Sequence, residues 1–288
     1  FFYIFFFTIY FAIINNNGFK NRFNKNFEQF SINFNIKDLE EETSLYKKTL
    51  RQEKNFIYKN KIKILIIGNS VAIDLLMAFD QNNELFKKYE FKEYYFKPEY
   101  LFRNDNNSIE EINSLTNSQN FIDADVIMLS SLFTEYEIKF HKKNIIFLLN
   151  ELVKKNNKLL VVAGNNPVFI NNKGINPLFS IILKNKNLEL SDEEISHMFF
   201  KKLSKKFENI SKKIRIFSER LDLIYLDKFD YSCNINDQSC KAITDKGYLI
   251  YFDGIHYTIE GARYFGKKIH EIGWLRPIDN YFKNYKNE

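Results

Sequence analysis

Proline and glycine are scarce, at 4 and 9 of 288 residues. So few exclude a collagen and any long Gly/Ser linker. The chain has two cysteines, Cys233 and Cys240. Two are too few for a disulfide scaffold or a four-cysteine zinc site. No apolar run reaches the roughly 20 residues that a membrane helix needs, which excludes a multi-span membrane protein within these residues. Arg-rich arms and RNP-like aromatic motifs are also missing. The net charge of +6 therefore reads as a solvated surface rather than a nucleic-acid footprint. Lys and Glu are interspersed, and the heavy use of Asn, Lys, Ile and Phe fits an AT-rich coding bias. What is present is globular composition: 45% hydrophobic and 27% charged residues.

The chain opens at Phe1 rather than Met, which reads as a fragment or processed product. Residues 1–14, FFYIFFFTIYFAII, carry no charge. Three readings compete: the end of a transmembrane helix, a signal-peptide hydrophobic region, or a buried element of the fold. The cut helix is favoured, because the polar, irregular NNNGFKNRFNKNFEQF follows at once. Lys20, Arg22 and Lys25 behind it pull the other way, since basic flanks prefer the cytoplasm. Residues 15–59 are expected to form a linker, with a helical spacer in the charged stretch 38–57.

From residue 60 the pattern changes. Ile62, Ile64, Leu65, Ile66 and Ile67 form a run that is apolar on both faces and ends in Gly68-Asn69-Ser70. Helical periodicity follows (Val71, Leu75, Leu76, Phe79). That is the signature of a central parallel strand feeding a helix. Similar runs recur at 125–129, 158–163 and 221–226, with helical stretches near 134–156 and 192–220. The alternation predicts an α/β fold, a three-layer αβα sandwich around a mostly parallel sheet.

Such sheets place their sites at the carboxyl ends of the strands. Ser70 is expected there, its N–H at a helix start where an oxyanion can sit, with Gly68 permitting the sharp turn. Alone, Gly-Asn-Ser also fits a capped βα turn. The second feature is Tyr251-Phe-Asp253-Gly-Ile-His256-Tyr-Thr258-Ile-Glu-Gly261-Ala262. Asp253 and His256, three residues apart, can share one loop, the carboxylate holding the imidazole while its other nitrogen takes a proton from Ser70. Thr258 is the expected cap of a helix running to about His270, and Gly261 allows that helix to pack closely.

These two elements resemble the first and last blocks of the SGNH/GDSL hydrolases, and most closely the SGNH domain fused to the membrane acyltransferase-3 family. The segment Val162–Phe169 is similar to that subfamily's strand-then-Pro block. The order of apolar stub, charged spacer and sheet domain also matches. The resemblance implies a flavodoxin-like SGNH fold over 60–288, with Ser70, His256 and Asp253 as the catalytic residues. It implies no cofactor or metal. The partners it implies are an acyl donor passed from a membrane acyltransferase bundle and a glycan acceptor. Membrane attachment is expected through the N-terminal segment, with the domain periplasmic or otherwise extracytoplasmic. Cysteines before the Asp/His block, here Cys233 and Cys240, often pair in that subfamily. If the domain is exported they form a disulfide; if cytosolic they are two thiols.

The chain departs from the family pattern. The usual first-block Asp is Asn69, and no glycine stands between Ser70 and Gly164. Ser130-Ser131-Leu132 offers no third-block Asn, so Asn69, Asn165 and Asn166 are carried as candidate oxyanion or substrate groups. His141, His197 and His270 read as structural, and none has metal-ligand spacing. The expected activity is acyl transfer. The alternatives are an SGNH carbohydrate or lipid esterase, or a non-catalytic glycan- or partner-binding domain.

Overall fold

The computed structural model describes residues 36–52, 55–96, 106–135, 145–170, 177–184 and 190–285. The apolar segment 1–14, the first part of the expected linker and His141 lie outside them. Among the described residues, no helix is long and apolar enough to cross a membrane.

Five strands make one parallel sheet: β1 (Ile62–Gly68), β2 (Tyr89–Tyr95), β3 (Val126–Ser130), β4 (Leu159–Ala163) and β5 (Ile224–Leu226). Their order is β2-β1-β3-β4-β5. The chain leaves β1 to one side for β2 and returns to the other for β3, so the crevice at the end of β1 is the topological switch point. Four strands fall in the apolar runs read from the sequence. Strand β2 was not expected, because Tyr-Glu-Phe-Lys-Glu-Tyr-Tyr mixes charge with aromatics. It is an edge strand, bonded only to β1. The run at 221–226 contributes less than expected. Its first residues finish a helix, and Asp222 turns the chain with a φ of 54°.

Side chains alternate across the sheet with the period of two that strands impose. Ile64, Ile66, Val126, Met128 and Val161 point into one core, and Leu65, Ile67, Ile127, Leu129 and Val162 into the other. The first core is covered by α1 (Ile36–Gln52) and α2 (Ser70–Asp80). The second is covered by α3 (Asn106–Thr116), α4 (Gln119–Asp123) and α5 (Ile145–Lys155). Helices α6 (Pro177–Lys184) and α7 (Asp192–Phe200) return to the first face, and α8 (Lys205–Arg220) lies on the second. The chain closes with α9 (Phe229–Ser232), the short hairpin β6 (Cys233–Asn234) and β7 (Ser239–Cys240), then α10 (Ile259–Glu271) and α11 (Arg276–Tyr285). Three layers result, as expected.

The expected helix over 192–220 is two helices. Ser191 opens α7 with a capping box. The chain then breaks at 201–204, where Leu203 bridges Phe169, Ile170 N–H donates to the Lys202 carbonyl at 2.7 Å and Ser204 N–H donates to the Val168 carbonyl at 2.8 Å. Pairing with the segment after β4 outweighs local helix propensity. Helix α1 lies in the stretch read as a spacer and docks on the body. It buries Thr43 and Leu50 and pairs Lys47 with Asp74 at 2.5 Å and Arg51 with Glu93 at 3.2 Å.

Candidate active site

The site is built at the carboxyl ends of β1, β3 and β4, which are level: Ile67 pairs with Leu129, and Leu129 with Val162. At the end of β1, Gly68 presses on the neighbouring strand. A Cβ there would stand 1.8 Å from the Ser130 carbonyl oxygen, and its φ of 156° disfavours any other residue. Asn69 then caps α2. Its side-chain oxygen accepts from Val71 N–H at 3.4 Å and from Leu132 N–H at 3.2 Å. The same amide therefore starts the helix and ties the β1 turn to the loop after β3. Ser70, the first residue of α2, is left exposed with its hydroxyl above the sheet.

The histidine arrives from the other end of the chain. Thr258 caps α10 by accepting from Gly261 N–H at 2.9 Å. Helix α10 packs on α2: Asn82 donates to the carbonyls of Ala78 and Arg263, at 2.9 and 3.2 Å, and Arg263 donates to Gln81 at 2.7 Å. The 251–257 loop feeding α10 is thereby set against the start of α2. Asp253 organises this loop, its Oδ1 accepting from the N–H groups of Ile255 and His256 at 2.6 and 2.7 Å. Its Oδ2 lies 2.6 Å from His256 Nδ1, and His256 Nε2 lies 2.9 Å from Ser70 Oγ. The three residues named from the sequence thus form a continuous hydrogen-bonded chain, carboxylate to imidazole to hydroxyl.

The electrostatics suit a base. Burial acts to lower the His256 pKa, but the hydrogen bond to Asp253 and then the charges of Asp74 and Asp253 outweigh it, so it stands above its ordinary 6.5. Burial likewise works against the Asp253 carboxylate. The hydrogen bonds and charge of His256, with the Ile255 N–H, reverse this and hold it below 3.8. The pair is therefore an ionised carboxylate beside a readily protonated imidazole.

The candidate oxyanion groups separate. Ser70 N–H opens α2 and so has no intrahelical acceptor. Asn69 is a cap and loop tie. Asn165 and Asn166 depart from expectation: both are buried and work as ties beneath the site. Asn165 accepts from Phe133 N–H at 2.7 Å and donates back to the Phe133 carbonyl at 3.1 Å, while Asn166 donates to the Ile255 carbonyl at 3.3 Å. The cores of three site loops are joined by these amides, which explains asparagines at positions closed to substrate.

The remaining candidates are placed elsewhere. His197 Nδ1 lies 3.2 Å from the Gln238 carbonyl, and His270 packs edge-on to Phe86 with ring centroids 5.9 Å apart. Cys233 and Cys240 are joined by a disulfide. Among the described residues no cluster could hold a metal ion.

Sequence reading missed two lysines and an acid around this site. Lys47 of α1 lies 5.4 Å from the Phe252 ring, which stacks on His256 with centroids 5.7 Å apart. Asp74, one turn on from Ser70 in α2, and Lys228, which donates to Ser130 Oγ, are wholly buried. Asp74 was visible in principle as the lone charge among the apolar residues that follow Ser70. Lys228 gave no such signal.

An open parallel sheet with a serine at its switch point and an Asp-X-X-His loop before the last helices defines an SGNH-type domain. The family described as SGNH domain (fused to AT3 domains) matches residues 40–271. The chain belongs to this family. No curated protein matches it in sequence. In structure it is similar to the periplasmic domain of the lipopolysaccharide acetyltransferase of Salmonella ser. Paratyphi A, with a TM-score of 0.61 and 14% identity over 82% of this chain and 97% of that one. A G-D-S-L family protein from Desulfitobacterium hafniense superposes with a TM-score of 0.43 and 9% identity, over 74% and 99% of the two chains. A carbohydrate acetylesterase family member from Sinorhizobium meliloti gives 0.39 and 12%, over 73% and 96%.

Proposed function

We propose that this domain transfers an acyl group, through a covalent Ser70 ester, to a hydroxyl of a cell-envelope glycan. The observation that carries the reading is the 2.9 Å contact of Ser70 Oγ with His256 Nε2, backed by Asp253 at 2.6 Å. Ser70 Oγ attacks the acyl carbonyl as its proton passes to His256 Nε2. The oxyanion forms beside the Ser70 N–H at the positive end of α2. Collapse breaks the bond to the leaving group, which takes the proton back from His256. A sugar hydroxyl then repeats the sequence in reverse, giving its proton to His256 and taking the acyl group, and Ser70 is regenerated. Asp253 orients the imidazole and balances its charge.

The donor is an acyl group delivered by a membrane acyltransferase bundle of the AT3 type, the kind of domain to which this family is fused. The Cys233–Cys240 disulfide supports an extracytoplasmic location, since such bonds persist in oxidising compartments. Membrane attachment through residues 1–14 belongs to the same reading.

A second reading, ester hydrolysis, is favoured by the exposure of Ser70, which leaves water able to reach the acyl-enzyme. Incubation with an activated acetyl ester, with and without oligosaccharide, separates the two. Transfer is expected to give an acylated sugar and slower net release of acetate. Unchanged hydrolysis with no acylated sugar removes the transferase claim.

A further inference from the structure

Helix α2 runs Ser-Val-Ala-Ile-Asp-Leu-Leu-Met-Ala-Phe, with Asp74 as its only charge before Asp80. A carboxylate amid that much apolar surface is costly unless it is compensated. Asp74 stands four residues after Ser70, one turn behind it on the same face of the helix. It has no solvent exposure, and neither of its oxygens has a hydrogen bond of regular geometry. Its compensation is ionic. Lys47 Nζ, reaching in from α1, lies 2.5 Å from Oδ1.

Charged and titratable groups approach Asp74 from several elements. Lys47 comes from α1. Lys228, between β5 and α9, is fully buried and donates to Ser130 Oγ of β3 at 2.8 Å. Burial draws Lys228 down to about 7 against the opposing charge of Asp74. Tyr231 of α9 bonds Tyr257 at 3.2 Å, and these two and Tyr251 feel the same negative charge. His256 meets Asp253 from its own loop, Ser70 and the charge of Asp74 from α2, and the opposing charge of Lys47 from α1. Lys47 also touches the Phe252 ring that stacks on His256.

We propose that Asp74 is a positioning residue of this site: a buried second carboxylate one turn behind the nucleophile, held by Lys47, which also meets the Phe252 ring stacked on His256, so that helix α1 is part of the catalytic unit. The inference rests on the reading of His256 as the base. The triad has its orienting acid in Asp253, exposed enough to be partly screened by water. Asp74 acts from the dry side, where a charge is felt more strongly. The site consequently depends on a helix that precedes the sheet domain, and displacement of α1 strips Asp74 of its partner.

The test is a titration of His256 by NMR in the full chain, with carbon-labelled imidazoles; there are only 4 histidines. A His256→Gln variant assigns the resonance. Asp74→Asn keeps the shape and removes the charge. The His256 midpoint is expected to fall, and the acid limb of kcat/KM toward an activated ester to move to lower pH with it. A His256 midpoint equal to that of the parent, in a variant with the parent's circular dichroism, overturns the proposal. The anchoring claim is read from Tm. Lys47→Met orphans a buried carboxylate, so the double variant Lys47→Met/Asp74→Asn is expected to melt above Lys47→Met alone. A double variant that melts below it contradicts the pairing. If no ester is cleaved and yet the midpoint moves, it is the proposed function that fails while the coupling stands.

Discussion

At the residue scale the account rests on three side chains and the direction of one proton. His256 must be neutral to accept from Ser70, and the hydrogen bond and carboxylates around it hold its pKa above 6.5 against burial. Activity is therefore expected to fall as pH drops through that raised value, while Asp253, held below 3.8, stays ionised throughout. A rate profile whose acid limb lies well below 6.5 contradicts this. Asp253→Asn is expected to lower kcat by about 10⁴-fold with KM little changed, because the imidazole loses its orientation and its counter-charge. A loss of less than tenfold makes Asp253 a loop tie only, a role it also fills through the Ile255 and His256 N–H groups. Ser70, Asp253 and His256 were legible in the sequence because short motifs at strand ends and helix starts constrain their own neighbourhoods. Asn165 and Asn166 were legible as important but not as ties, since only the folded chain reveals that Phe133 and Ile255 are their partners. Asp74 needed Lys47, 27 residues earlier, to become meaningful.

At the element scale the decisive contact joins α2 to α10, because those two helices carry the serine and the histidine loop to one end of the sheet. Gly261 is central to how α10 starts. A Cβ there would fall 2.1 Å from the Ile250 carbonyl oxygen, which already accepts from Thr258 N–H at 2.9 Å. Backbone cannot swing aside as a side chain can. Gly261→Ala is expected to cost about 1–3 kcal/mol of stability and to reduce activity by displacing the His256 loop, as read by thermal unfolding and ester turnover. An unchanged Tm sinks this reading of the packing. The elements that the sequence revealed were those with a strong local signal, the continuous apolar runs of β1, β3, β4 and β5 and the Thr258 cap that opens α10. Strand β2 and the split between α7 and α8 were hidden, because an edge strand alternates charge with aromatics and the split is imposed by Phe169 and Leu203 meeting across the chain.

At the scale of the whole molecule, the disulfide bears on where the domain is proposed to work. The Cys233–Cys240 bond closes the β6–β7 hairpin, against which α7 packs. On loop entropy it contributes about 2–3 kcal/mol. The Cys233→Ser/Cys240→Ser variant is expected to melt several degrees lower, and protein from an oxidising compartment to show no free thiol until reduced. Two free thiols in freshly isolated native protein contradict the extracytoplasmic assignment. The three-layer fold was legible from alternating runs alone. The docking of α1 was not, since a charged spacer reads the same whether it is solvated or held by Lys47, Leu50 and Arg51.

The most direct measurement is covalent. A fluorophosphonate probe forms a stable adduct only with a serine whose hydroxyl is activated. Incubated with the folded chain and read by peptide mass spectrometry, it is expected to label Ser70, and the label is expected to disappear in Ser70→Ala and to drop sharply in His256→Gln. Folded protein that takes up no probe at Ser70, or takes it up equally without His256, contradicts the claim that these two side chains form a working nucleophile.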